Sequence, residues 1–204
     1  MGMINMPRKI WDISPPVDEQ AAVFPSNMAY SQRLHFALSP DCPVNVNSII
    51  LLPHTGAHAD PPTHYANGGA ASGKLDLTPC LGPCRVIHCI GCGPLVLPEH
   101  IAHTLDEDLP PRMLLRTSHR ASQSWVSFTA IAQEKLAQLA TKNIALVSID
   151  TPSVDPADSQ TLPSHHQLLA NDMRVLECLV LDDAPEGNYE LIALPLKLMR
   201  ADAR

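Results

Sequence analysis

Proline sets the first limit on what this chain can fold into. Residues 54–64 read His54-Thr55-Gly56-Ala57-His58-Ala59-Asp60-Pro61-Pro62-Thr63-His64, with Pro53 immediately ahead. His54 and His58 stand four apart, as two ligands on one helix face would. Gly56 interrupts that pair and Pro61-Pro62 follows it, and proline removes a backbone donor and clashes with the turn before it. The stretch is therefore expected as a stiff, irregular loop leaving a strand, able to aim several side chains at one point. Imidazole and carboxylate are the usual ligands of catalytic zinc-type ions. With ten histidines in 204 residues, three unrelated histidines on a surface loop are the plainer alternative. Asp60 argues against it, because an acidic ligand among histidines completes a first shell. A metal site is the expectation.

A chain of 204 residues suits one domain spanning 1–204, long enough to bury a core without staples. Aromatics make up only 4% against 45% hydrophobic residues, so the core should be aliphatic. A net charge of -7 with no basic run argues against nucleic acid as a partner. Apolar runs such as residues 48–52 are too short to span a membrane. Residues 1–10 show no apolar segment after their charges, so no signal peptide is expected and the cytoplasm is the default compartment. Disulfides are not expected there. Cys89-Ile90-Gly91-Cys92 matches a redox pattern but ends an apolar run, where buried strand cysteines are the better reading. Cys80, Cys84, Cys89 and Cys92 stand too close together for a zinc ribbon.

Along the chain, residues 10–16 alternate and stop at prolines, as a short first strand would. Phe24-Pro25-Ser26-Asn27 reads as a turn. Residues 44–52 form the first strong strand and deliver the chain into the histidine loop. Residues 66–74 are small and glycine-rich, either a flap beside the metal or an ordinary surface loop. Strands are expected at 85–90, 94–97, 113–116, 144–149 and 189–196, with a short helix at 98–105 that carries His100 and His103 on its surface. Residues 127–141 read as the clearest helix, with Ile131, Leu136, Leu139 and Ala140 on one stripe and Glu134 and Lys135 outside it. Residues 164–171 read as a helix capped by Ser164.

Residues 175–181 form a buried strand with Glu177 in its middle. An ionised glutamate there costs several kcal/mol unless it is paired or metal-bound; a strand-end salt bridge is the alternative. The simplest construction uses two ions. His54, His58 and Asp60 bind one, and Asp60 bridges to a second held by Glu177 with His165 or His166. Two such ions polarise a carbonyl and lower the pKa of a bridging water. His64 is placed as general base and then acid.

The spacing His54-x-Gly56-x-His58-x-Asp60-x-Pro62-x-His64 resembles the motif of the cyclase-like metal-dependent hydrolases. Within them, residues 11–15, 81–88, 149–153 and 189–197 look like bacterial kynurenine formamidase. The resemblance implies an α/β fold, a mixed β-sheet or barrel-like core with helices packed outside (the swivelling β/β/α type), and a homodimer. It implies two divalent ions, zinc with manganese or cobalt as alternatives, held by His54, His58, Asp60, His165 and Glu177. His165 is favoured over His166 because it stands twelve residues before Glu177. The resemblance also implies that His64 transfers protons and that Phe24 contacts the substrate ring, where the family usually carries tryptophan before Pro-Gly-Asp. The implied reaction is hydrolysis of N-formyl-L-kynurenine to L-kynurenine and formate in tryptophan degradation. A related hydrolase acting on another amide or lactam, and a non-catalytic metal-binding or thiol-redox protein, are the alternatives.

Overall fold

A computed structural model describes residues 9–105 and 108–204. The N-terminal stretch read for a leader falls largely on residues 1–8, outside the described residues. In chain order the strands and helices are β1 (Ser31–Phe36), β2 (Val46–Ile50), β3 (His58–Ala59), β4 (Leu81–His88), β5 (Leu95–Val96), β6 (Arg112–Arg116) and β7 (Ala130–Ile131). They continue with α1 (Gln133–Ala140), β8 (Leu146–Ile149), α2 (Pro163–Ala170), β9 (Arg174–Glu177) and β10 (Gly187–Ile192).

The expected mixed sheet is present. Six strands run in the order β10-β4-β6-β8-β9-β3. The four central strands are parallel, and β10 and β3 close the two ends antiparallel. Parallel strands are covered on both faces, which explains their nearly continuous aliphatic sequence. Successive residues point to opposite faces. Ile87, Leu115, Val147 and Val175 meet Leu136 and Leu139 of α1 and Leu168 of α2. Their neighbours Val86, Leu114, Leu146 and Leu176 meet Leu179, Leu181 and Leu191 on the other side. Each such side chain, fully buried, stabilises the fold by about 1.5–3 kcal/mol.

Several elements differ from the sequence expectation. Residues 10–16 form no strand, because Pro15 and Pro16 remove ladder donors; the segment touches the sheet region through Val180 N–H donating to Ile13 O (2.8 Å). Residues 44–52 shorten to β2, which pairs only with the unanticipated β1 in a two-stranded arm exposed throughout. Residues 98–104 are a 3₁₀ segment with a kink at Ile101. The helix expected over 127–141 is confined to Gln133–Ala140. Ala130 and Ile131 instead run parallel to Leu95 and Val96. Glu177 is the last residue of its strand, not its middle, since Cys178 turns away at φ 60°.

Lys135 was placed on the outer face of its helix, yet its side chain is 0% exposed. Burial pushes its amine down to about 8, with only a small counter-effect from Cys89. Its Nζ donates to Gln138 Oε1 (2.7 Å). An apolar side chain of similar length suits this place better than a desolvated ammonium. Lys135→Met is expected to raise Tm by about 2–4 °C, the shift that about 1 kcal/mol produces in a chain of this size. Leu136→Ala, by contrast, should cost about 2–5 kcal/mol. Scanning calorimetry decides; a fall in Tm for the Met variant would show that the hydrogen bond to Gln138 outweighs the cost of burial.

Candidate metal centre

The histidine loop follows β2 and is bent by Gly56, whose φ is 74°. A Cβ at this position would meet Val17 Cγ2 at 2.7 Å, so both the conformation and the space call for glycine. The chain then enters β3, where His58 pairs with Glu177 and Ala59 with Leu176. This register sets the two distant halves of the candidate site face to face. Pro61 and Pro62 end the strand, and a 3₁₀ turn over Pro62–His64 swings His64 back toward Asp60. Thr63 N–H donates to Ala70 O (3.1 Å), and a Cβ on Gly69 would meet the Pro62 carbonyl carbon at 2.4 Å. Ser72 and Gly73 donate to Ala201 O and Leu198 O. The 66–74 segment is thus tied down on both sides, which favours the ordinary surface loop over a flap.

Asp60 lies at the centre. Its Oδ1 is 3.0 Å from His54 Nδ1 and 3.3 Å from His58 Nε2. Its Oδ2 is 3.4 Å from His165 Nε2 and 3.9 Å from His64 Nε2. Glu177 Oε2 is 3.6 Å from His58 Nε2, and its Oε1 is 3.6 Å from His165 Nε2. The five metal ligands expected from the sequence and the proton-transfer residue His64 therefore meet at one place. His166, the rejected alternative, is exposed outside the cluster.

The rings are oriented from behind. His58 Nδ1–H donates to Gly56 O (2.8 Å) and His165 Nδ1–H to Asp155 Oδ2 (2.7 Å), which leaves each Nε2 lone pair aimed inward. Glu177 Oε1 accepts Val154 N–H (2.7 Å). Asp155 was missed in the sequence. It also accepts the N–H groups of Ser164 and His165 at 2.9 and 3.0 Å, so it caps α2 in place of Ser164, whose own hydroxyl donates to Ile131 O. Its signal was a second acidic residue just past the Asp150-Thr151-Pro152-Ser153 turn. Asp202 was missed too. Its Oδ2 is 3.3 Å from His54 Nε2 and 4.0 Å from His64 Nδ1.

Two triads have ligand atoms within 4.8 Å of one another, His54/Asp60/His64 and His58/Asp60/Glu177. The resemblance grouped His58 with His54, and His165 with Glu177; the triads instead take in His64 and leave out His165. Asp60 belongs to both triads, as a bridging carboxylate would. The donor set fits divalent cations on a further ground. His54 Nε2, His58 Nε2 and Asp60 Oδ1 are buried without hydrogen-bond partners, although carboxylate oxygens stand close by. Buried polar atoms rarely remain so.

Electrostatics point the same way. Burial works to lower the pKa of His58 and His165, but at His58 the Asp60 charge together with contacts to Asp60, Cys178 and Glu177 outweighs it, holding that pKa well above the usual value. At His165, Asp155 and Asp60 raise it to about 10. Burial alone would raise Asp60, yet the His58 charge and the neighbouring His165 and His54 imidazoles hold it well below the carboxylate range. His64 differs. Burial, aided by His54 and His165, lowers its pKa against the pull of Asp60, so it is unprotonated at neutral pH and ready to accept a proton. Its side chain is 33% exposed against 1–3% for His58, Asp60, His165 and Glu177.

A cavity of about 570 Å³ opens onto these side chains, and Phe24 lines it. The Phe24–Asn27 turn survives the loss of the family's glycine: Asn27 N–H donates to Phe24 O (2.9 Å), and Ser26 accepts φ 73°. The cysteines stand elsewhere. Cys80, Cys84, Cys89 and Cys178 are buried, and burial pushes the thiols of Cys89 and Cys92 up, away from the thiolate that redox chemistry requires.

The sequence profile described as "Putative cyclase" matches residues 11–156. A protein named kynurenine formamidase from Polaromonas naphthalenivorans is 74% identical over 96% of this chain and 87% of its own length. One of the same name from Bordetella pertussis is 58% identical over 96% and 94%. A solved structure described as a potential metal-dependent hydrolase with cyclase activity superposes with a TM-score of 0.80 at 26% identity, covering 96% of this chain and 93% of that one. Isatin hydrolase A from Labrenzia aggregata gives 0.76 at 22% identity over 96% and 90%, a likeness of fold alone.

Asp155 offers a check that needs no metal. Asp155→Ala removes the acceptor of two helix N–H groups and one imidazole, and in chelator-treated protein should cost about 1–3 kcal/mol by denaturant unfolding. An unchanged midpoint would refute its capping role.

Proposed function

This chain belongs to the cyclase family, and on that premise we propose that it hydrolyses N-formyl-L-kynurenine to L-kynurenine and formate. What carries the reading is near full-length identity to relatives bearing the formamidase name, with each expected polar side chain meeting around Asp60. The rival reading as a lactam hydrolase has only the distant likeness to isatin hydrolase, which speaks for the fold. The non-catalytic and thiol-redox readings leave His64 without a task and find no activated thiol.

In this reading His54, His58 and Asp60 hold one divalent cation, and Asp60, His165 and Glu177 hold a second, with zinc the proposed metal. Ions bound there supply Lewis acidity toward the formyl oxygen and make water more acidic. The chain's own residues do the rest. Asp155 and the Gly56 carbonyl fix two imidazoles, so little reorganisation is needed during reaction. His64, neutral and partly open to the cavity, takes a proton from the attacking water and returns it to the aniline nitrogen as the C–N bond breaks. Formate and the free arylamine are the products.

We further propose one catalytic domain over 1–204, a small-molecule substrate with no nucleic-acid partner, and a cytoplasmic, homodimeric enzyme. Among the described residues no helix is long and apolar enough to cross a membrane. The β1–β2 arm supports the dimer: Leu34, Phe36, Val46, Ile49 and Ile50 are 41–58% exposed on strands that, among the described residues, pair only with each other. A two-stranded ribbon is marginal in water unless it packs on something. The double variant Phe36→Asp, Ile49→Asp should halve the mass seen by light scattering; an unchanged mass would move the interface elsewhere.

The reaction is tested by following kynurenine formation optically. Activity should disappear with chelator and return with added zinc. His64→Ala should lose about 10²–10⁴-fold in kcat, the usual worth of a general acid–base, while retaining bound metal in elemental analysis. Turnover that survives complete metal removal would sink the mechanism.

A further inference from the structure

Phe24 stands in the cavity wall, and an indole reaches the same cavity from a different part of the fold. Trp125 lines the cavity beside Phe24. The two ring centroids are 5.0 Å apart at 79°, an edge-to-face pair, and Phe128 makes a second edge-to-face pair with Trp125 at 5.8 Å and 88°. We propose that Trp125 is a specificity-determining residue, forming with Phe24 the subsite for a flat aryl ring whose amide substituent reaches the histidine cluster. The proposal rests on the formamidase reading and adds to it the residue that recognises the ring.

Three observations carry it. Apart from histidines, Phe24 and Trp125 are the aromatic side chains among the described residues of the cavity wall. The histidines are committed to the polar cluster, so a substrate ring has these two to meet. Trp125 is partly exposed and belongs to neither hydrophobic core, so part of its apolar surface stays open to the cavity. A tryptophan face left open in a cavity is an anchor for a ligand.

The loop bearing Trp125 is also held firmly. Thr117 N–H donates to both oxygens of Asp150 at 3.0 Å, and Thr117 Oγ1 donates to Oδ1 at 2.6 Å. Ala121 N–H donates to Asp182 Oδ1 (2.7 Å), and Thr151 Oγ1 donates to Thr129 O (2.9 Å). Asp150 and Thr151 open the segment whose Val154 N–H holds Glu177 and whose Asp155 holds His165. The indole and half of the polar cluster are thus referenced to one piece of backbone. That arrangement keeps the distance from ring to scissile bond constant.

The test begins with the wild-type protein and N-formyl-L-kynurenine. No turnover would overturn the formamidase reading itself. Given turnover, Trp125→Leu should raise KM about five- to twentyfold with kcat within about twofold, and Trp125→Phe should recover most of the loss, as an edge-to-face partner would. A second measurement leaves residue 125 intact. The chain has two tryptophans, so Trp11→Phe leaves one indole N–H signal in a nitrogen-correlated NMR spectrum. Titration with L-kynurenine should shift that signal by ring current, and saturably. An unmoved signal at saturating product, or a Trp125→Leu variant with unchanged KM, overturns the proposal while leaving the formamidase reading in place.

Discussion

The Asp60 carboxylate is what the rest of the site is arranged around. Both oxygens are buried and face four imidazoles, and a second buried carboxylate, Glu177, stands across the His58 and His165 rings. Two buried negative charges demand compensation. In the protein alone, raised pKa values at His58 and His165 provide it by holding protons on imidazole. Divalent cations bound there would provide the same charge, displacing those protons and taking the imidazole lone pairs. Stability and the proposed metal affinity therefore draw on one electrostatic requirement, and His64, the residue proposed to transfer protons, is the histidine least bound by it.

Much of the structure serves to hold that carboxylate cluster still. The antiparallel step between His58 and Glu177 brings loop and strand together through backbone hydrogen bonds, which give a fixed register. Behind them the 150–155 segment supplies Val154 N–H to Glu177 and the Asp155 carboxylate to His165. The final residues cover the loop from outside, with Arg204 donating to Ala59 O and Thr55 O (3.1 and 2.7 Å) and Asp202 beside His54. Hence the rigidity expected from Pro61 and Pro62 is only part of what positions the ligands.

Where the fold departs from the pattern of the sequence, the departures share a cause. The 127–141 pattern is helical in period, but Ala130 and Ile131 find a parallel partner in Leu95 and Val96, and a tertiary ladder outweighs weak local propensity. Lys135 looks external on a helical wheel and is nevertheless buried. The alternation in residues 44–52 is real, yet β2 has no third strand to join. Periodicity reports which faces are apolar; it does not report what, if anything, will cover them.

Local chemistry made the histidine loop legible from the sequence. Proline excluded a helix, the spacing of His54, His58, Asp60 and His64 pointed to metal chemistry, and Glu177 drew notice as a carboxylate in an apolar strand. The parallel strands were legible as well, because burial on both faces leaves aliphatic runs. Only tertiary structure joined His58 to Glu177, supplied Asp155 and Asp202 behind the rings, and brought Trp125 to the side of Phe24. Those contacts link residues far apart in the chain, and no local pattern encodes the distance at which a folded backbone sets two side chains.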